Sequence, residues 1–206
     1  MRLLTIIVFL LLFLQFSPVH SYTSENCFFY TEKYGKKFNL PDKLLTSISL
    51  VESGTKKNDK FVSWPWTLNV SGKSKFFENK NDALVFLKKN FDKHKNIDVG
   101  CMQISLKYHF KEFKNLDSIL DPEKNVKYAA KFLKSLFVKH RKWNEAISRY
   151  HSSKPKKKAV YLAKVKSYWA EVRQKNIKLF NQNKSKKEKI EFFRNQFKNQ
   201  INFEKS

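Results

Sequence analysis

The sequence predicts a mainly α-helical domain carrying one small β-hairpin. Apolar residues recur at helical spacing in most segments between positions 41 and 172. Only four glycines occur in the whole chain, few for a fold built from tight turns and sheets. The one clear alternation, Trp64, Trp66, Leu68 and Val70, is closed by a Ser71-Gly72 turn. At 206 residues the chain can hold one full core plus extensions.

The N-terminus, MRLLTIIVFLLLFLQFSPVHSY, places Arg2 before an apolar run from Leu3 to Phe16. Val19 and Ser21 then sit three and one residues ahead of a cut before Tyr22. This pattern predicts a signal peptide over 1–21 and export of the rest. The alternative is an uncleaved anchor, for which the run is short, since a spanning helix needs about 20 residues.

The next helix is expected from Pro41, with Asn39 as its cap and Gly54 at its end. Leu44, Leu45 and Ile48 share one arc of it, and Glu52 falls within the same arc. The hairpin runs through Trp64–Val70 to Phe76 and Phe77. Asp82 is expected to cap a helix bearing Leu84, Leu87 and Phe91, and CMQIS to form a short helix after the NIDVG loop. Asp121 and Pro122 open a long helix whose stripe is Val126, Ala129, Ala130, Leu133, Leu136 and Phe137. A short helix follows over WNEAISRYHS. A longer one carries Leu162, Val165, Trp169 and Val172 inward. The main domain therefore spans 22–173. Residues 174–206 form a basic extension in which Phe193, Phe197 and Ile201 could make one apolar stripe.

The formal charge is +24, and removing the signal takes away Arg2 and no acid. Such an excess points to a polyanionic partner. Export argues against nucleic acid and leaves the cell wall or an anionic membrane surface, the latter through the extension. The two cysteines, Cys27 and Cys101, read as one disulfide in an oxidising compartment, with two free buried thiols as the alternative.

Several chemistries lack their parts. No Gly-rich phosphate loop occurs, and His20, His94, His109, His140 and His151 are scattered without metal-ligand spacing. No metal and no cofactor are expected. Glu52 is the exception: a carboxyl inside an apolar stripe is either a boundary residue with its head in water or an acid whose pKa is raised by burial. Protonated carboxyls, amides and aromatic faces are what glycosidic cleavage uses, because the leaving oxygen needs a proton.

The motifs SLVESG, DVGCMQIS, NVKYAAKFL and AISRYHS stand in the order and spacing of the lytic transglycosylases, which the chain resembles over roughly residues 25–172. The resemblance implies a lysozyme-like domain of the goose-type or soluble transglycosylase kind, glycoside hydrolase family 23, in an exported, periplasmic, proteobacterial form. It implies Glu52 as the single acid/base, and Ser53 as a support of its helix or a substrate contact. Gly100, Met102 and Gln103 would line the sugar groove, and Tyr150 would orient the Glu52 carboxyl. Trp64 and Trp66 are candidate sugar platforms. The family's Ala-Tyr-Asn element reads Arg149-Tyr150-His151 here, so His151 replaces an amide; a common glycine is Ala129 and a common tyrosine is Phe132. The expected partner is the peptidoglycan glycan strand and the expected state a monomer. Two competing functions remain. One is a hydrolase in which Asp98 activates water. The other is a basic wall-binding scaffold without catalysis.

Overall fold

The structure is a computed structural model. It describes residues 27–57, 59–94, 96–183, 188 and 190–196, with side chains except over 178–183. The expected signal segment 1–21 lies outside the described residues. So do 184–187, 189 and 197–206 of the extension, including Phe197 and Ile201.

Helix α1 spans Cys27–Lys37 and α2 spans Leu44–Ser53. The second starts later than the sequence predicts. Asn39 and Lys43 adopt left-handed backbone, φ 50° and 61°, and the Leu44 amide donates to the Pro41 carbonyl at 3.0 Å. Residues 41–43 are thus a turn, and Asn39 bends the loop rather than capping the helix. Leu44, Leu45 and Ile48 are fully buried, as their common arc requires. Each such side chain contributes roughly 1.5–3 kcal/mol of burial.

From α2 the chain enters a hairpin that the sequence reading missed, β1 (Gly54–Lys57) antiparallel to β2 (Lys60–Ser63). Gly54 is needed there. A Cβ would stand 2.4 Å from the Phe61 ring and 2.2 Å from the Leu50 carbonyl oxygen. The expected hairpin is β3 (Thr67–Val70) with β4 (Lys73–Phe76). Ser71 and Gly72 both take positive φ, the geometry that matches strand twist in a two-residue loop. Two further strands extend it, β5 (Ile97–Val99) and β6 (Ile104–Ser105), in the order β4-β3-β5-β6. The helix expected over CMQIS is therefore absent. Gly100 and Gln103, at φ +81° and 45°, make a turn between β5 and β6 instead.

Helix α3 (Lys80–Phe91) is capped by Asn79, whose side chain accepts from the Asp82 amide at 2.9 Å. Asp82 is the third helical residue, not the cap. Short α4 (Leu106–His109) and α5 (Leu116–Leu120) lead to α6 (Pro122–His140), which Asp121 caps through the Lys124 amide as the sequence predicts. Its stripe buries Val126, Ala129, Ala130 and Leu133. α7 (Trp143–His151) and α8 (Pro155–Asn183) complete the bundle, and α8 packs on both α2 and α7. Its inward residues are Tyr161, Val165 and Trp169, an i, i+4, i+8 row; Leu162 is only partly buried.

Two connections close the fold. Cys27 and Cys101 form a disulfide, Cα–Cα 5.7 Å, tying the start of α1 to the turn after β5. A cross-link over a sequence separation of 74 residues stabilises by roughly 2–4 kcal/mol. In the extension, residues 190–196 are helical, and Gln196 is buried. Gln196 accepts from Arg173 Nε at 3.1 Å and donates to Asp42 Oδ2 at 2.9 Å. Asp42 precedes α2, and its carbonyl also accepts from Trp169 Nε1 at 2.6 Å.

Candidate active site

Glu52 sits in the last turn of α2, one helical turn beyond Ile48. Its carboxyl faces α8, where the Tyr161 hydroxyl donates to Glu52 Oε1 at 2.6 Å. Burial pushes the Glu52 pKa up to about 8; the tyrosine bond opposes the rise and the nearby Asp98 charge adds to it. Glu52 is therefore largely protonated at neutral pH. Tyr161 is itself buried, and burial together with the Glu52 charge holds its pKa well above the ordinary range. The hydroxyl remains a donor. Glu52 and Tyr161 lie on an open depression of about 420 Å³. Val51, His151 and Val160 line it as well, and Lys156, Lys157 and Lys164 of α8 complete its wall.

The turn after β5 is held from three sides. Gly100 donates its amide to the Thr67 carbonyl at 2.8 Å. Gln103 Nε2 donates to Thr67 O at 3.1 Å and to Gly100 O at 3.0 Å. Asn125, fully buried on α6, donates Nδ2 to Val99 O and Ile119 O and accepts the Met102 amide at 3.0 Å. A Cβ at Gly100 would meet Asn125 Nδ2 at 2.7 Å, so the glycine serves both its positive φ and this close approach. Ser53 is buried, and its hydroxyl donates to the Cys101 carbonyl at 2.8 Å. It couples the end of α2 to the turn rather than facing the groove.

The remaining predicted residues separate into groups. Met102 is fully buried and packs in the core. Tyr150 donates to the Met102 carbonyl at 2.9 Å, so the bond to Glu52 expected of it is made by Tyr161 instead. Burial and the Glu52 charge raise the Tyr150 pKa, which keeps that hydroxyl a donor too. His151 stacks face to face on Tyr161, centroids 4.7 Å apart. Its pKa is lowered by desolvation and by Lys157 and Lys164. Trp66 is 2% exposed and belongs to the core, so its ring is not offered to a sugar. Trp64 is partly buried, donates Nε1 to the Phe77 carbonyl at 2.7 Å and lies under Lys57 Nζ. Asp98 lies on β5 opposite Ser105, which bonds its side chain; burial raises its pKa and Ser105 opposes the rise.

The family model of the transglycosylase SLT domain matches residues 29–171, more than half of the chain. The chain belongs to the transglycosylase SLT family. No curated protein and no solved structure matched. The SLT domain is lysozyme-like, in agreement with the helical bundle and small antiparallel sheet, and its family comprises lytic transglycosylases of peptidoglycan. The matched span of the SLT domain takes in Glu52, the Gly100 turn and Tyr161, and stops short of Arg173.

Two residues of the candidate site escaped the sequence reading. Tyr161 heads the buried row of α8, and its phenol in an apolar stripe was the available signal. Asn125 was legible in the same way, as an amide between Pro122 and Val126 on the buried face of α6.

Proposed function

We propose that this SLT protein is a family 23, exported proteobacterial-type transglycosylase. It cleaves the β-1,4 bond between N-acetylmuramic acid and N-acetylglucosamine in the periplasm, with Glu52 as its only acid/base. The observation that carries the reading is the Glu52 carboxyl, kept protonated by burial and held by Tyr161. Neutral Glu52 gives its proton to the glycosidic oxygen as the bond to muramic C1 breaks. The muramic N-acetyl oxygen stabilises the cationic carbon, as in substrate-assisted glycosidases. The C6 hydroxyl then bonds to C1 and returns its proton to the Glu52 carboxylate. A 1,6-anhydro end forms, no water is consumed and the acid is regenerated.

Asp98 motivates the competing reading. Its charge reaches Glu52, and an inverting hydrolase needs a second carboxylate to activate water. Mass spectrometry of muropeptides from digested sacculi separates the readings. Anhydro ends are expected. Reducing ends would assign the protein as a hydrolase, and an absence of products would leave a wall-binding scaffold.

For the extension we propose a supporting contact with anionic surfaces, based on its lysines. Gln196 docked on Asp42 favours a second role, bracing the start of α2. Truncation after Arg173 is expected to weaken binding to anionic vesicles, most clearly at low salt. A truncated protein that unfolds would make the extension a brace.

A further inference from the structure

We propose that Lys157 and Lys164 form a subsite for a carboxylate that the glycan strand carries on its muramic acid, beside Glu52. The inference deepens the reading above and names the substrate feature that this wall of the groove recognises. Lys157 and Lys164 stand four residues before and three after Tyr161, so helical spacing puts all three on one face of α8. That face forms the wall of the depression containing Glu52.

Among the described residues, no ion pair joins Lys156, Lys157 or Lys164 to a carboxylate. Lys158, the neighbour of Lys157, is engaged: its Nζ lies 2.6 Å from Glu145 Oε2. The charges of Lys157 and Lys164 are felt inside the depression, since both lower the proton affinity of the His151 ring. Among the described residues, the only carboxyl lining the depression is Glu52. With that carboxyl protonated, no described residue lining the depression answers the wall's positive charge; Asp98, whose charge reaches Glu52, lies outside the lining. An uncharged sugar ring cannot answer the wall's charge either. A muramic acid can, from one position: its lactyl ether ends either in a free carboxylate or in an acidic stem peptide. Ammonium–carboxylate hydrogen bonds are about twice as strong as neutral ones.

The test is binding in a Glu52→Gln background, where no ligand is consumed. Three soluble ligands are compared by calorimetry at low salt. They are a peptide-bearing muramic oligosaccharide, a peptide-free one with its lactyl carboxylate, and uncharged chitotetraose. Adding Lys157→Gln and Lys164→Gln is expected to weaken at least one carboxylate-bearing ligand by about tenfold while chitotetraose is unaffected. A loss confined to the peptide-bearing ligand assigns the stem carboxylates, and one confined to the peptide-free ligand assigns the lactyl group. Lys88→Gln with Lys89→Gln, on α3 away from the depression, controls for general basicity and should change none of the three. Unchanged affinities overturn the proposal. So does a loss shared equally by chitotetraose, or an equal loss from the α3 pair. Digestion of sacculi by the native protein tests the parent reading separately, so binding can fail while cleavage stands, and the reverse.

Discussion

Glu52 and Glu123 both accept a hydrogen bond from a tyrosine, Tyr161 at 2.6 Å and Tyr34 at 2.7 Å, yet their proton affinities move in opposite directions. Glu123 lies on the outer side of α6, where Lys33 Nζ approaches to 2.6 Å; that bond and the one from Tyr34 lower its pKa. Glu52 has the tyrosine without the cation. Burial dominates, and its pKa rises to about 8. A phenol alone lowers a carboxyl's pKa but does not compensate the loss of water. The last turn of α2 therefore carries a proton at neutral pH, and the first turn of α6 does not.

The largest test of this contrast is Glu52→Gln. Under the proposed mechanism, cleavage should fall by roughly 10²–10⁴, the scale of general acid catalysis. Its stability signature has a defined sign. A glutamate with a raised folded pKa holds its proton more tightly when folded, so the folded state loses stability as pH climbs from the unfolded value near 4.5 towards about 8. The amide escapes that loss. Urea unfolding should show the variant more stable than wild type by up to a few kcal/mol at pH 8 and equal to it near pH 4. Equal stabilities at both pH values would contradict the raised pKa.

A smaller effect is expected from Tyr161→Phe. Without the phenol, Glu52 loses the one bond that lowers its pKa, so the alkaline limb of the pH–rate profile should move upward from about 8. The rate at neutral pH should fall by about tenfold, as expected for a lost bond to a charged group that forms during turnover. A limb that moves down, or stays in place, would separate Tyr161 from the acid.

The smallest effect belongs to Glu123→Gln. Its contribution is present above the unfolded pKa and is lost as pH falls through the lowered folded value. Both partners are exposed, so water and salt screen the pair. Cleavage should be unchanged, and thermal unfolding should barely move, with any loss complete above the unfolded value and vanishing as pH falls through the lowered folded one. A large loss of activity would show that this outer pair reaches the groove.

Much of the bundle was legible because helices and their caps are local. The Asp121-Pro122 start of α6 and its buried stripe follow from residues within a few positions of one another. The errors cluster where nearby residues compete or long-range contacts decide. Asn79 took the cap from Asp82, and residues 41–43 turned where a helix start was expected. The Gly100 segment became turn and strand because Asn125, far away in sequence, fixes its carbonyls and amides. Trp66 was drawn into the core and Tyr150 to the Met102 carbonyl.

The sequence by itself determined a helical domain, its basic surface, and one glutamate set within an apolar arc, because periodicity, charge and composition are properties of short windows. Only the tertiary structure decided what that glutamate is. Its pKa depends on the water it has lost and on the groups that replaced it. Those come from α8 and β5, far along the chain, and no local pattern records that Tyr161 meets Glu52 while Lys158 turns to Glu145 and Lys157 and Lys164 pair with no carboxylate among the described residues.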